Sequence, residues 1–257
     1  MDRASSKGNQ MKFKIGGNWY KADYMGYEGL AEYVVSCLLS FSSLNETEYV
    51  KYETEVIKYK ENTFVGCKSR DFTGDWNLIT LERLFKNSYG QSLNRTIFRI
   101  PDRKERLKMI VEQVERITGI TGFGIYMSKI LTVDALFLNE DRHTHNLAIL
   151  TDGNGKYRLA PIFDNGACLL SDTRMDYPLS GDTIRMIGRV KAKTFSDSFD
   201  EQLDAAEELY GCNIRFSYDY NDVAGVVNLV GDYSEEIKER VIDVVMTMKN
   251  KYRYLFP

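Results

Sequence analysis

Phe137-Leu-Asn-Glu-Asp-Arg-His-Thr-His-Asn-Leu-Ala-Ile-Leu150, continued by Pro161-Ile-Phe-Asp-Asn-Gly166, is the stretch on which the fold turns. Asp141 and Asn146 stand five positions apart. Two short apolar runs follow, Leu147–Leu150 and Tyr157–Phe163, joined by the turn Asp152-Gly-Asn-Gly155, and Asp164 comes next. A loop, a hairpin and a second acid occur in the order that a kinase-type phosphotransferase needs. Asp141 would accept or orient the proton of an acceptor hydroxyl, help typically worth about 10²–10⁴-fold. Asn146 and Asp164 would hold Mg²⁺ against the phosphates of ATP, because this hard cation takes oxygen ligands. The Gly-rich turn brings both ligands back to one end of the strand pair.

A single loop Asp or Asn is most often a cap or a turn former. It is the ordered set that points to chemistry. A metal hydrolase built on His143 and His145 fits less well. The chain holds only two histidines, and such sites need a third nitrogen or sulfur ligand nearby.

The rest of the composition narrows the class. At 257 residues the chain can bury a sizeable core as one or two domains. A net charge of −3 argues against a nucleic-acid binder. The four cysteines, at 37, 67, 168 and 212, show no close pairing and read as reduced thiols of a cytosolic protein. No apolar run reaches about 18 residues, and the first residues lack the apolar stretch of a signal peptide. A cytoplasmic location is the expectation, with export by a specialised route left open.

Along the chain, Met11–Ile15 and Trp19–Asp23 flank Gly16-Gly-Asn18 and read as a hairpin. Gly29–Phe41 has helical periodicity. Glu48–Lys60 reads as a long half-exposed strand, with Asn62–Lys68 as its antiparallel partner. Helices are expected over Leu78–Phe85, Arg103–Thr118, Ile125–Leu138, Ser198–Leu209 and Glu235–Tyr254. The fold class predicted is α+β, a two-lobed protein-kinase-like fold. A β-rich N-terminal lobe spans 1–72 and a helical C-terminal lobe spans 73–257, with a nucleotide in the cleft between them.

A kinase also needs a phosphate cover, a strand lysine and a helix acid to orient it. Lys21, central in its strand, is the lysine candidate, with Lys14 as runner-up. Glu32 on the following helix is its partner candidate. Glu28 is the runner-up, though its place in the first turn also suits the helix dipole. Ser5-Ser-Lys-Gly-Asn-Gln-Met-Lys12 precedes the first strand, and its Gly frees the backbone for phosphate contact. The segment matches neither Gly-x-Gly-x-x-Gly nor a P-loop.

On these residues the chain resembles the kinase region of HipA-like serine/threonine kinases over essentially its whole length. Asn139-Glu-Asp-Arg-His-Thr-His-Asn146 and Leu159-Ala-Pro-Ile-Phe-Asp164 are similar to that family's Asn-x-Asp-Arg-His-x-x-Asn and Leu-x-Pro-x-Tyr-Asp patterns. The resemblance implies ATP and Mg²⁺ as cofactors, Asp141 as catalytic residue, and Asn146 and Asp164 as metal ligands. It implies ATP binding by Lys21, Glu32, Ser6, Gly8, Asn9 and Gln10, with Ser5 and Ser6 as autophosphorylation candidates. It further implies a toxin of a toxin–antitoxin pair. The partners implied are a protein substrate such as an aminoacyl-tRNA synthetase and an antitoxin or separate N-terminal-subdomain-like protein. The chain starts at the phosphate loop, as short members of that family do. Asp141-Arg-His-x-x-Asn146 together with Asp164-Asn-Gly166 is also similar to the phosphatidylinositol 3/4-kinase loop, so a lipid kinase is one alternative. A pseudokinase-like ATP-binding module is another. Arg142, His143 and His145 read as loop-structuring residues, the rings acting through their N–H groups. Leu147, Ile149 and Phe163 read as core.

Overall fold

A computed structural model describes residues 10–257. Ser5, Ser6, Gly8 and Asn9 of the expected phosphate loop lie outside the described residues. The chain opens with strands β1 (Lys12–Ile15) and β2 (Asn18–Ala22), helix α1 (Glu28–Leu39), and strands β3 (Tyr52–Tyr59) and β4 (Asn62–Arg70). These strands form one antiparallel sheet in the order β1-β2-β4-β3. Gly16 and Gly17 close the first hairpin at φ of 57° and 79°, the left-handed pair that a two-residue turn requires. Helix α1 packs on this sheet, and Leu30, Ala31, Val34, Val35, Leu38 and Leu39 are all buried.

Strand β5 (Asn77–Thr80) and helices α2 (Leu81–Tyr89), α3 (Leu93–Ile97), α4 (Arg103–Thr118) and α5 (Phe123–Phe137) follow. Next come strands β6 (Ala148–Thr151) and β7 (Tyr157–Leu159). Helices α6 (Thr183–Ile187), α7 (Phe199–Tyr210), α8 (Tyr220–Asn228) and α9 (Glu235–Lys251) complete the chain. The architecture is an antiparallel sheet in the N-terminal part and a mainly helical remainder, as the pattern of periodicities predicts. No helix among the described residues is long and apolar enough to cross a membrane.

Three expectations need correction. The predicted helix Leu78–Phe85 splits in two. Leu78 and Ile79 pair with Leu150 and Ile149 in a second sheet, β5-β6-β7, and Thr80 then caps α2 by accepting from the Arg83 amide. The long strand from Glu48 begins its β4 pairing only at Tyr52. Its first residues instead take up the chain beyond β7, with Val50 N–H on the Ile162 carbonyl at 2.9 Å and Ile162 N–H on the Glu48 carbonyl at 2.7 Å. Pro161 explains the change of partner, since it has no N–H to continue the β6–β7 ladder. Short helices α3, α6 and α8 escape the periodic reading because each buries only one or two side chains.

The helical remainder shares one hydrophobic cluster with α1, centred on α5, which is buried except at Ile125 and Lys129. Asp23, at the end of β2, ties this core to the C-terminal part. It accepts from the Gly29 amide at 2.6 Å and from the Tyr233 hydroxyl at 2.8 Å. Burial, opposed by those two hydrogen bonds, pushes its carboxyl up to about 7. The folded state therefore holds a proton that the unfolded chain, with a carboxyl near 3.9, has lost. Stability from this group is full below about pH 4 and is lost as pH rises through about 7, at up to ~1.4 kcal/mol per pH unit. Asp23→Asn should flatten the thermal midpoint between about pH 4 and 7 relative to wild type. An unchanged slope would exclude Asp23 as the source.

Candidate active site

Two carboxylates meet one ammonium where the N-terminal sheet faces the catalytic stretch. Lys21 stands on β2 opposite Cys67 of β4. Its Nζ bonds Glu32 Oε1 of α1 and, at 2.6 Å, Asp164 Oδ1. The ring of Tyr52 lies beneath it, 5.3 Å from Nζ to the centroid, within cation–π range. Burial alone would lower the Lys21 pKa, but Asp164 and Glu32 outweigh it and hold the ammonium well above its ordinary range. Burial likewise opposes ionisation of Asp164, and Lys21 with Lys12 keeps that carboxyl well below its ordinary range. Glu32 is only 1% exposed, and its second oxygen accepts from the Asn165 amide at 2.7 Å. One glutamate thus fixes both the lysine and the backbone next to Asp164.

The two runners-up do other work. Lys14 pairs with Asp71 at the exposed end of the sheet. Glu28 accepts from the amides of Tyr24, Met25 and Gly26 at 2.7–3.2 Å, holding the loop between β2 and α1.

Asp141 lies just beyond α5, which ends as Leu138 turns left-handed at φ 58°. Asn139 Oδ1 accepts from the Asp141 amide at 3.2 Å. Asn146 Nδ2 donates to the Asp141 carbonyl at 2.8 Å and to its Oδ2 at 3.0 Å. These bonds use the amide nitrogen and turn Oδ1 to other partners. Asp141, Asn146 and Asp164 line one cleft with Gln10, Lys12 and Glu32.

Arg142 holds the loop from behind and is 3% exposed. Its Nε reaches both oxygens of Asp134 on α5 at 3.1 and 3.2 Å. Its Nη1 donates to the Phe163 carbonyl at 2.7 Å and its Nη2 to Asn165 Oδ1 at 2.8 Å. Burial raises the Asp134 carboxyl to about 6, against the pull of Arg142. His143 Nδ1 accepts from the His145 amide at 3.2 Å, so the ring acts there as an acceptor and not as the N–H donor expected. Burial lowers its pKa, favouring the neutral ring. Its Nε2 lies 3.8 Å from Asp141 Oδ1. Leu147 and Ile149 are buried, while Phe163 is half-buried against Phe72.

The donor set fits a magnesium–nucleotide. The described residues hold no group of three or more His, Cys, Asp or Glu side chains able to bind a metal alone. Mg²⁺ held mainly by phosphates and water needs only one or two protein oxygens, which Asn146 and Asp164 can supply. Lys12, 3.8 Å from Asp164, and Lys21 add positive charge beside them.

Tyr52, Asp134 and Lys193 belong to this site but were not read from the sequence. Lys193 Nζ lies 3.5 Å from Asp141 Oδ1. The one available signal was Asp134, an acid on an otherwise apolar helix.

The chain matches no protein-family profile and no curated protein sequence. It is similar in structure to a Helicobacter pylori proinflammatory kinase, CtkA, at 18% identity and a TM-score of 0.64, over 99% of this chain and 92% of that one. The fold is kinase-like. Identity this low speaks for the fold alone, so the likeness supports the architecture around Lys21 and Asp141 without assigning their chemistry.

Arg142→Met should leave Asp134 as an unpaired buried charge and lower stability by about 3–5 kcal/mol. Asp141→Asn, at the cleft surface, should change it by less than about 0.5 kcal/mol. Urea unfolding of the two variants checks this. Equal midpoints would show that the Arg142 network does not hold the loop.

Proposed function

We propose that the protein is an ATP- and Mg²⁺-dependent serine/threonine protein kinase of HipA-like type. The observation that carries the reading is Lys21 bridged to both Glu32 and Asp164, two carboxylates that line the same cleft as the bonded pair Asp141–Asn146. Kinases need this lysine–glutamate pair and this metal-binding Asp in place together. The sheet up to residue 72 forms the lobe over the nucleotide, and residues 73–257 form the lobe that carries the acceptor chemistry. Val50, Tyr52 and Cys67, with Phe72 and Phe163 packed on them, make a small apolar cluster that continues from Lys21 through Tyr52.

Bound Mg²⁺ would offset charge on the β- and γ-phosphates, held by Asn146 Oδ1 and the Asp164 carboxylate. Lys21 neutralises phosphate oxygens, and Glu32 keeps it aimed. Asp141 accepts the acceptor's proton through the oxygen not bonded to Asn146. The resemblance further supports Ser5 or Ser6 as autophosphorylation site, a toxin role and an aminoacyl-tRNA synthetase as substrate. A phosphate on that loop adds nearly two negative charges where ATP phosphates bind, and so switches the enzyme off.

Purified protein with Mg²⁺ and γ-labelled ATP should label itself at Ser5 or Ser6, mapped by mass spectrometry. Asp141→Asn and Asp164→Asn should each lower transfer by at least about 10²-fold. Label on phosphatidylinositol vesicles and not on protein would make it a lipid kinase. ATP binding without transfer to any hydroxyl acceptor would make it a binding module.

A further inference from the structure

Among the described residues, Lys193 is a cation beside Asp141 that the lysine, acid and metal-ligand roles above do not use. Lys193 comes from the segment between α6 and α7, fifty-two positions beyond Asp141 in the chain. That segment is fixed. Ala192, Thr194, Phe195 and Ser196 are buried around it. Thr194 Oγ1 donates to the Arg142 carbonyl at 2.5 Å, tying the segment to the catalytic loop one residue from each key side chain. Arg106 Nη1 donates to the Phe195 carbonyl at 2.8 Å, and Gln202 Nε2 to the Ser196 carbonyl at 3.0 Å. Between these buried anchors only Lys193 turns outward, and its side chain is 43% exposed. The backbone is rigid, so the ammonium is delivered to the Asp141 carboxylate by design of the loop and not by the wandering of a surface side chain.

Two facts say what it is for. At 3.5 Å the contact with Asp141 Oδ1 is longer than a normal hydrogen bond. Lys193 is 43% exposed against 13% for Asp141, so the ammonium stays in contact with solvent at the cleft and is not locked to the carboxylate. The other Asp141 oxygen is engaged by Asn146. Lys193 therefore stands on the Oδ1 side, where a proton-donating hydroxyl must arrive, and can turn to a newly arrived anion without leaving the cleft.

We propose that Lys193 is a further catalytic residue of this site, binding the phosphoryl group as it crosses from ATP to the acceptor oxygen. The inference rests on the kinase reading. In the step, the acceptor's O–H proton passes to Asp141 and its oxygen forms a bond to the γ-phosphorus. The bond from that phosphorus to the β,γ-bridging oxygen breaks, and the electron pair leaves with ADP. Lys193 makes and breaks no covalent bond. It neutralises the equatorial oxygens on the acceptor side, as Lys21 does on the nucleotide side.

The test is steady-state transfer by Lys193→Met, Lys193→Arg and Lys193→Cys, with binding of ADP–aluminium fluoride, a mimic of the transferring phosphoryl, measured beside binding of ADP. Lys193→Met should lower kcat by about 10²–10³-fold while moving the ATP KM by less than about 3-fold. It should lose affinity for ADP–aluminium fluoride and keep affinity for ADP, and Lys193→Arg should recover part of both. Alkylation of Lys193→Cys with bromoethylamine, which restores an ammonium of nearly the same reach, should restore kcat, a recovery that also covers any loss of folding in the methionine variant. A kcat within about 3-fold of wild type in Lys193→Met would overturn the proposal. So would loss of kcat with ADP–aluminium fluoride affinity intact, since Lys193 would then only orient Asp141. Wild-type protein that neither binds ATP nor transfers phosphate would fail the kinase reading itself, and this inference with it.

Discussion

The whole site depends on a single buried glutamate that does two things at once. Glu32 comes from α1, Lys21 from β2, and Asp164 from the far end of the catalytic stretch. One Glu32 oxygen takes the lysine and the other takes the amide after Asp164. The ammonium in turn takes Asp164. The result is a closed set of charges in which each member is costly to bury alone and tolerable only with the others. Sheet, helix and catalytic stretch therefore cannot shift separately. If α1 moved off the sheet, Lys21 would lose its aim and the Asn165 amide its acceptor in the same motion.

Behind this set, Arg142 does for the loop what Glu32 does for the cleft. Its Nε, Nη1 and Nη2 reach Asp134 on α5, the Phe163 carbonyl just before Asp164 and Asn165 just after it. The rigidity is matched by local strain. Asp164, Leu169 and Leu170 all sit at positive φ, near 60°. For Asp that is a mild cost, but for two bulky residues in a row it is of order 1–3 kcal/mol each. The fold holds them there by burying both leucines and by bonding Leu169 at both ends. Its amide donates to the Phe137 carbonyl at 2.8 Å, and its carbonyl accepts from the Tyr27 hydroxyl at 2.6 Å. Tyr27 begins α1, so the same helix that carries Glu32 also restrains the strained segment. Strain of this kind concentrates where the backbone must aim a side chain, and here it lies just after Asp164.

The sequence revealed those parts of the site whose chemistry is local. Asp141, Arg142 and Asn146 fall within one loop, and Asp164 is separated from them only by a hairpin that Gly153 and Gly155 announce. Lys21 and Glu32 were found because each sits at the centre of a strongly patterned element. What stayed hidden was set by distant partners. Tyr52 looked like any strand tyrosine until β4 folded it under Lys21. Pattern ranks Glu28 and Lys14 behind their rivals but does not say what they do instead, which the loop at 24–26 and Asp71 decide. The misplaced helix at Leu78 fails for the same reason. Two apolar residues after a turn read equally as helix or strand, and only β6 selects the strand.

These two kinds of constraint differ in what they allow to change. Apolar core positions need only volume and pattern, so most can exchange freely. The charged set cannot, because replacing one member leaves the rest buried and unpaired. In this chain the polar groups that would handle phosphate are the same groups that tie the N-terminal sheet and α1 to the stretch after β7, so the fold preserves the site and the site preserves the fold.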